Sequence, residues 1–162
     1  MREYQKYAIT LSIFAAVLFA ALIVAVFGVG SLLTNREVIA DPQAGPLVGP
    51  SIVVVVVVFV LLRMVLIGIR TRPEKQRVML GYSAVTGIAT WGVFVIAGAF
   101  FLLLATGDTR SATALGFEIL FGPFAGVTGV FAFAVTLMYS WLLAAQVGSG
   151  GRPLWPWERP GA

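Results

Sequence analysis

Long apolar runs alternate with short polar connections along the whole chain. A helix rising 1.5 Å per residue needs about 20 mainly apolar residues to cross the ~30 Å hydrocarbon core of a bilayer. Four segments meet that requirement: residues 8 to 30, 51 to 69, 78 to 105 and 123 to 147. The predicted class is all-α, an integral membrane bundle of four transmembrane helices. Residues 1 to 150 form its transmembrane domain, and residues 151 to 162 a short Pro/Trp tail. Secretory cleavage of the first segment is not expected. Its apolar run exceeds the core of a signal peptide, and no small-x-small cleavage site follows it.

The polar connections orient the bundle, because short loops rich in Lys and Arg stay in the cytoplasm. Arg2, Lys6, Arg70, Arg72, Lys75, Arg77, Arg152 and Arg159 fall on one side, and only Arg36 and Arg110 on the other. The expected topology is therefore N-in/C-in: a multi-pass protein of the cell membrane with both termini cytoplasmic, and with loops 31 to 50 and 106 to 122 outside. The first outer loop carries Pro42, Pro46 and Pro50 and reads as a stiff turn, with Pro50 suited to a helix start.

Within lipid, helices associate by close packing, so small residues at four-residue spacing mark contact faces. The first span carries Ala8, Ser12, Ala16 and Ala20, continuing to Gly28; the fourth carries Thr128, Ala132, Thr136, Ser140 and Ala144, preceded by Gly122 and Gly126. Gly81, Gly87, Gly92 and Gly98 of the third span keep no strict period. The second span is almost pure valine from Val53 to Val58, with no small face, and is expected to be the most lipid-exposed. The same small faces suit packing against other membrane subunits or a second copy of the chain.

Composition agrees with a lipid solvent. The 162 residues are 59% hydrophobic and 11% charged, with a mean hydropathy of +0.97; a soluble domain carries about 25% charged residues. The net charge of +4 sits in short clusters and not in a stripe, so it reads as membrane-orienting charge and no nucleic acid is expected. There is no cysteine and no histidine. Disulfides, thiolate metal sites and thiol nucleophiles are thereby excluded, along with the usual haem and zinc ligand and the usual neutral-pH proton carrier. No metal and no cofactor is expected, and no enzyme.

Ionisable groups inside a span are costly and merit a functional hypothesis. Arg63 is the clear instance. It lies seven residues before Arg70, about 10 Å below the cytoplasmic end, within reach of a snorkelling guanidinium. Glu118 is placed in the outer turn, too far to be its counter-ion, and Asp108 and Arg110 in the solvated outer connection. Trp91, near the middle of the third span, is expected to face the bundle, with Thr86 and Thr90 as local hydrogen-bonding neighbours. Tyr82, Tyr139 and Trp141 read as belt residues at the cytoplasmic headgroups. In the tail, Trp155, Trp157 and Arg159 suit either the interfacial belt or the docking of a soluble partner.

The tail Leu154-Trp155-Pro156-Trp157-Glu158-Arg159 and the four-span layout resemble the uncharacterised small four-span membrane proteins of actinobacteria, and the nine arginines against two lysines look like GC-rich bacterial usage. That resemblance implies no particular activity. The small multidrug transporters, also of four spans, have a glutamate in their first span, whereas residues 8 to 30 here contain no acid. The leading expectation is a non-catalytic accessory or structural subunit of a larger membrane complex. A small oligomeric transporter or channel using Arg63, and a membrane anchor recruiting a soluble partner through the tail, are the alternatives.

Overall fold

The computed structural model describes residues 2–34, 45–70 and 78–147, and these residues are all but entirely helical. In chain order the helices are α1 (Arg2–Thr34), α2 (Gly45–Arg70), α3 (Leu80–Thr106), α4 (Thr109–Phe121) and α5 (Pro123–Val147). α1, α2, α3 and α5 are each long and apolar enough to cross a membrane. The chain is a multi-pass membrane protein with an all-α bundle of four such helices.

α5 is the most enclosed of the four. Half of its apolar window is buried, against 28% for α1 and α3 and 33% for α2. Two adjoining rows on α5 are covered, Thr128, Ala132, Thr136, Ser140 and Ala144 in one and Ala125, Val135, Tyr139 and Leu143 in the other, so the helix serves more than one neighbour. α2 is not the peripheral helix that its valine run predicts. Val48, Ile52, Val56, Val60, Met64 and Ile67 are buried in a single stripe, while Val54, Val58, Leu62 and Leu66 face outward. Uniform valine hides that stripe in the sequence, because both faces carry the same residue and differ only in what covers them.

On α1 the buried row runs Ala8, Ser12, Ala16, then Phe19, Ile23 and Phe27. A strict four-residue stride rotates about 40° per step on a helix of 3.6 residues per turn, so a fixed face must sometimes step by three. Ala20 is accordingly only partly covered, and Gly28 is exposed.

The segment 106 to 122, expected as a loop, is mostly a helix. Gly107 takes the left-handed conformation that ends α3 (φ 70°), its N–H donating to the Leu103 carbonyl. Asp108 then caps α4, its carboxylate accepting from the N–H groups of Arg110 and Ser111 and from the Ser111 hydroxyl. Ala112, Leu115, Gly116 and Ile119 form the buried face of α4, at helical spacing. This face lies back along α3. A methyl group at Gly98 would stand 2.6 Å from Cδ1 of Ile119, and one at Gly116 would stand 3.4 Å from Cβ of Ala99.

α5 continues down the same side of α3. Gly129 meets Gly87 and Trp91, and further along the Met79 N–H points to the Ser140 hydroxyl at 3.4 Å. α4 and α5 are therefore two rods in sequence, antiparallel to α3 and broken at Gly122–Pro123. Gly122 is extended (φ −73°, ψ 151°), and its N–H closes the end of α4 on the Ile119 carbonyl. Proline lacks an N–H and has φ preset, which suits it to the first position of the new helix.

Candidate functional site

The two ends of the bundle are built of different materials. At the end where α2 begins, the interior is aromatic: Phe27 meets Phe94 and Phe124 edge to face, with centroids 5.7 and 5.3 Å apart. At the end where α2 finishes, buried hydroxyls gather. Ser12, Ser83, Thr86, Thr136, Tyr139 and Ser140 are all fully enclosed.

Tyr139 is the centre of this polar end. Its hydroxyl donates to the Ala8 carbonyl at 3.2 Å, and the single Ser12 hydroxyl proton is shared between the Tyr139 oxygen at 3.0 Å and the Ala8 carbonyl at 2.8 Å. Gly68 of α2 leaves the space: a methyl there would stand 2.5 Å from the Tyr139 oxygen and 2.9 Å from Cβ of Ala8. Tyr139 thus joins α1, α2 and α5 inside the bundle and is no belt residue. Its ring fills volume, and its hydroxyl meets Ser12 and the Ala8 carbonyl opposite the glycine. Trp141, two residues on, is exposed on the lipid side.

Along the α3–α5 seam most hydroxyls turn back on their own helices. Ser83 donates to the Met79 carbonyl, Thr86 to Tyr82, Thr90 to Thr86 and Thr128 to Phe124, each four residues earlier. Such bonds satisfy the side chain and leave the seam lined by methyl groups and glycine. Thr136 differs: its buried hydroxyl has no hydrogen-bond partner. Trp91 is partly buried against the core and stands with its Cβ beside Gly129.

Arg63 lies on the α2–α3 seam at the polar end. Its guanidinium carbon sits 4.3 Å from the centroid of the Tyr82 ring, within cation–π range. The residue is half-buried, and its Nε is enclosed without a hydrogen-bond partner. Sequence spacing located Arg63 but not the ring beneath it. Glu118 is exposed on α4 and does not approach it. Asp108, also exposed, has its carboxyl held below the ordinary carboxylate range, first by the Ser111 hydroxyl and then by the N–H groups of Arg110 and Ser111.

Of the other positions singled out in sequence, Ser12, Ala16, Thr128, Ala132, Thr136 and Ser140 lie in the buried rows, and Ala20 at their margin. Gly126 is exposed with open space where a side chain would stand, and Gly122 is the joint between α4 and α5. The close approach comes from Gly129, which no four-residue ladder includes. Trp155, Trp157 and Arg159 lie outside the described residues. Among the described residues, no three His, Cys, Asp or Glu side chains gather as a metal-binding group.

Comparison at the level of families accounts for the whole chain: the model of the family of unknown function DUF6121 matches residues 1–162. The chain belongs to that family. No curated protein and no solved structure matches it. The family description carries no activity, so functional inference rests on the bundle itself.

Proposed function

We propose that this chain is a non-catalytic membrane subunit, built to pack against other membrane-embedded protein and oriented with both termini in the cytoplasm. The carrying observation is how its interior spends its polar groups. Ser12, Ser83, Thr86, Thr90, Thr128 and Tyr139 all bond to backbone carbonyls of the bundle, and four of these carbonyls belong to the donor's own helix on the α3–α5 seam. Hydroxyls satisfied in this way are not left facing a substrate path, and the seam they line closes by methyl and glycine contact. The larger complex is inferred from the same packing chemistry continuing onto small, outward-facing positions such as Gly126 and Gly28.

Purification in mild detergent at native expression, with crosslinking beforehand, tests the subunit role. A reproducible membrane-protein partner is expected, and migration of the chain alone would overturn the reading. Orientation rests on eight Lys and Arg residues against two across the connections. Because the chain has no cysteine, single replacements report cleanly. Thr113→Cys should react with an impermeant maleimide in intact cells, and Gly151→Cys only after permeabilisation. The opposite pattern would reverse the topology.

A further inference from the structure

Arg63 occupies the apolar part of α2, with two turns of helix between it and Arg70 at the helix end. A charged side chain in the apolar part of a span is costly, so this one has to be answered about 10 Å from the helix end. Tyr82 covers one face of the group at 4.3 Å, but a ring quadrupole carries no net charge. Nε is enclosed and lacks an acceptor. Among the described residues no hydrogen bond or ion pair reaches the guanidinium. The side chain is nonetheless partly exposed, so its charge can be met from outside the bundle.

Two further features say what meets it. Arg70 lies seven residues on, almost on the same face of α2, and is exposed. The two cations therefore form a short stripe from the membrane surface inward. One turn from Arg63 and from Tyr82 respectively, the exposed side chains Leu66 and Val85 present apolar surface, as an acyl chain requires. The anion within reach of a guanidinium that snorkels from that depth is the phosphodiester of a phospholipid, which lies at the headgroup level. Arginine suits phosphate because its planar fork offers parallel N–H donors to two oxygens. Two cations on one stripe favour lipids of net negative charge.

We propose that the α2–α3 seam binds one anionic phospholipid, its phosphodiester held by the Arg63 guanidinium stacked on Tyr82, with Arg70 as the outer contact. Tyr82 here is a positioning residue: it holds the guanidinium over its ring. This site is independent of any protein partner.

Native mass spectrometry of the full-length protein, titrated in mild detergent with phosphatidylglycerol and separately with phosphatidylcholine, tests it. The wild type should retain phosphatidylglycerol over phosphatidylcholine by about tenfold, the scale of one charge-assisted hydrogen-bonded contact. Arg63→Gln should bring the two to parity, and Tyr82→Leu should lower the preference by about threefold. Arg63→Lys keeps the charge without the fork and should fall between wild type and Arg63→Gln. If Arg63→Gln does not fold, the Lys and Leu variants carry the test. Equal retention of both lipids by the wild type would overturn the proposal, as would unchanged preference in the foldable variants. Displacement of the lipid by millimolar inorganic phosphate would overturn the lipid assignment in favour of a soluble anion.

Discussion

Gly87 and Gly129 hold α3 and α5 in backbone contact: a methyl at Gly87 would stand 2.8 Å from the Gly129 carbonyl oxygen, and one at Gly129 would stand 3.0 Å from the Gly87 carbonyl oxygen. Neither obstacle is the end of a flexible side chain, so a Cβ at either position forces the helices apart. Gly92 on α3 and Gly126 on α5 have open space instead. Gly87→Ala or Gly129→Ala should therefore destabilise the bundle by about 1–3 kcal/mol, as overpacking does. Gly92→Ala and Gly126→Ala should be neutral or slightly stabilising, since alanine is the better helix former. Thermal unfolding of the four variants in one detergent checks the contrast. Equal effects would mean that α3 and α5 do not meet at these glycines.

The Tyr139 hydroxyl should be worth a modest amount alone and more in combination. Tyr139→Phe removes its bonds to Ser12 and Ala8 and should cost about 0.5–1.5 kcal/mol. Gly68→Ala should cost more, because its methyl meets that same oxygen and the Ala8 methyl. In the double variant the oxygen is gone, so the alanine should cost less on the Phe background than on the wild type. A double-mutant cycle reads this coupling directly. Strict additivity would show that the hydroxyl does not fill the Gly68 notch.

Thr136 offers the opposite experiment. Its enclosed hydroxyl has no partner, so Thr136→Val exchanges an unsatisfied polar group for an isosteric methyl. Stability should hold or rise by up to about 1 kcal/mol. Thr90→Val, which removes a bond of 2.7 Å to the Thr86 carbonyl, should show no such gain. A loss in Thr136→Val would mean that the hydroxyl has a partner in the working protein.

Acid should loosen α4. The Asp108 carboxyl is held below its ordinary value by the bonds it accepts at the helix start, so its folded pKa lies beneath its unfolded one. The stabilising contribution is complete above the ordinary carboxylate range and is lost as pH falls through the folded value. Amide exchange in residues 109 to 121 should accelerate on acidification, after correction for intrinsic exchange rates, while exchange within α5 stays unchanged. Asp108→Asn, which keeps capping oxygen but does not titrate there, should remove the pH dependence. Persistence of the effect in that variant would point to another group.

Four apolar runs were enough to find the four crossing helices, because the length needed to span lipid is a coarse requirement that residues 8 to 30 or 123 to 147 meet without ambiguity. α4 escaped that criterion. At 13 residues it is too short to cross, so the segment 106 to 122 reads as an outer connection. Its signals were local: Asp108 as a cap, then Ala112, Leu115, Gly116 and Ile119 at helical spacing. The inward position of Tyr139 was not legible, since a tyrosine near a span end ordinarily sits at the headgroups. What draws it inside is Gly68, distant in sequence and lacking any mark of its partner. Arg63 was conspicuous as a charge among valines and leucines, but its stacking on Tyr82 depends on how α2 and α3 are set side by side, which no single segment encodes.

The joint at Gly122–Pro123 has a mechanical meaning. Within a continuous helix, pulling on one turn loads the backbone hydrogen bonds of the next; here that ladder stops at the Gly122 N–H and restarts after proline. α4 is bound to α3 through the face around Ile119, and to α5 through a covalent link with little stiffness. Its release would disturb α3 locally while leaving the ladder of α5 intact, so the two halves of the last passage are separate units of opening. The molecule accordingly has four walls across the bilayer, and on the last of them a section that can come loose without the wall falling.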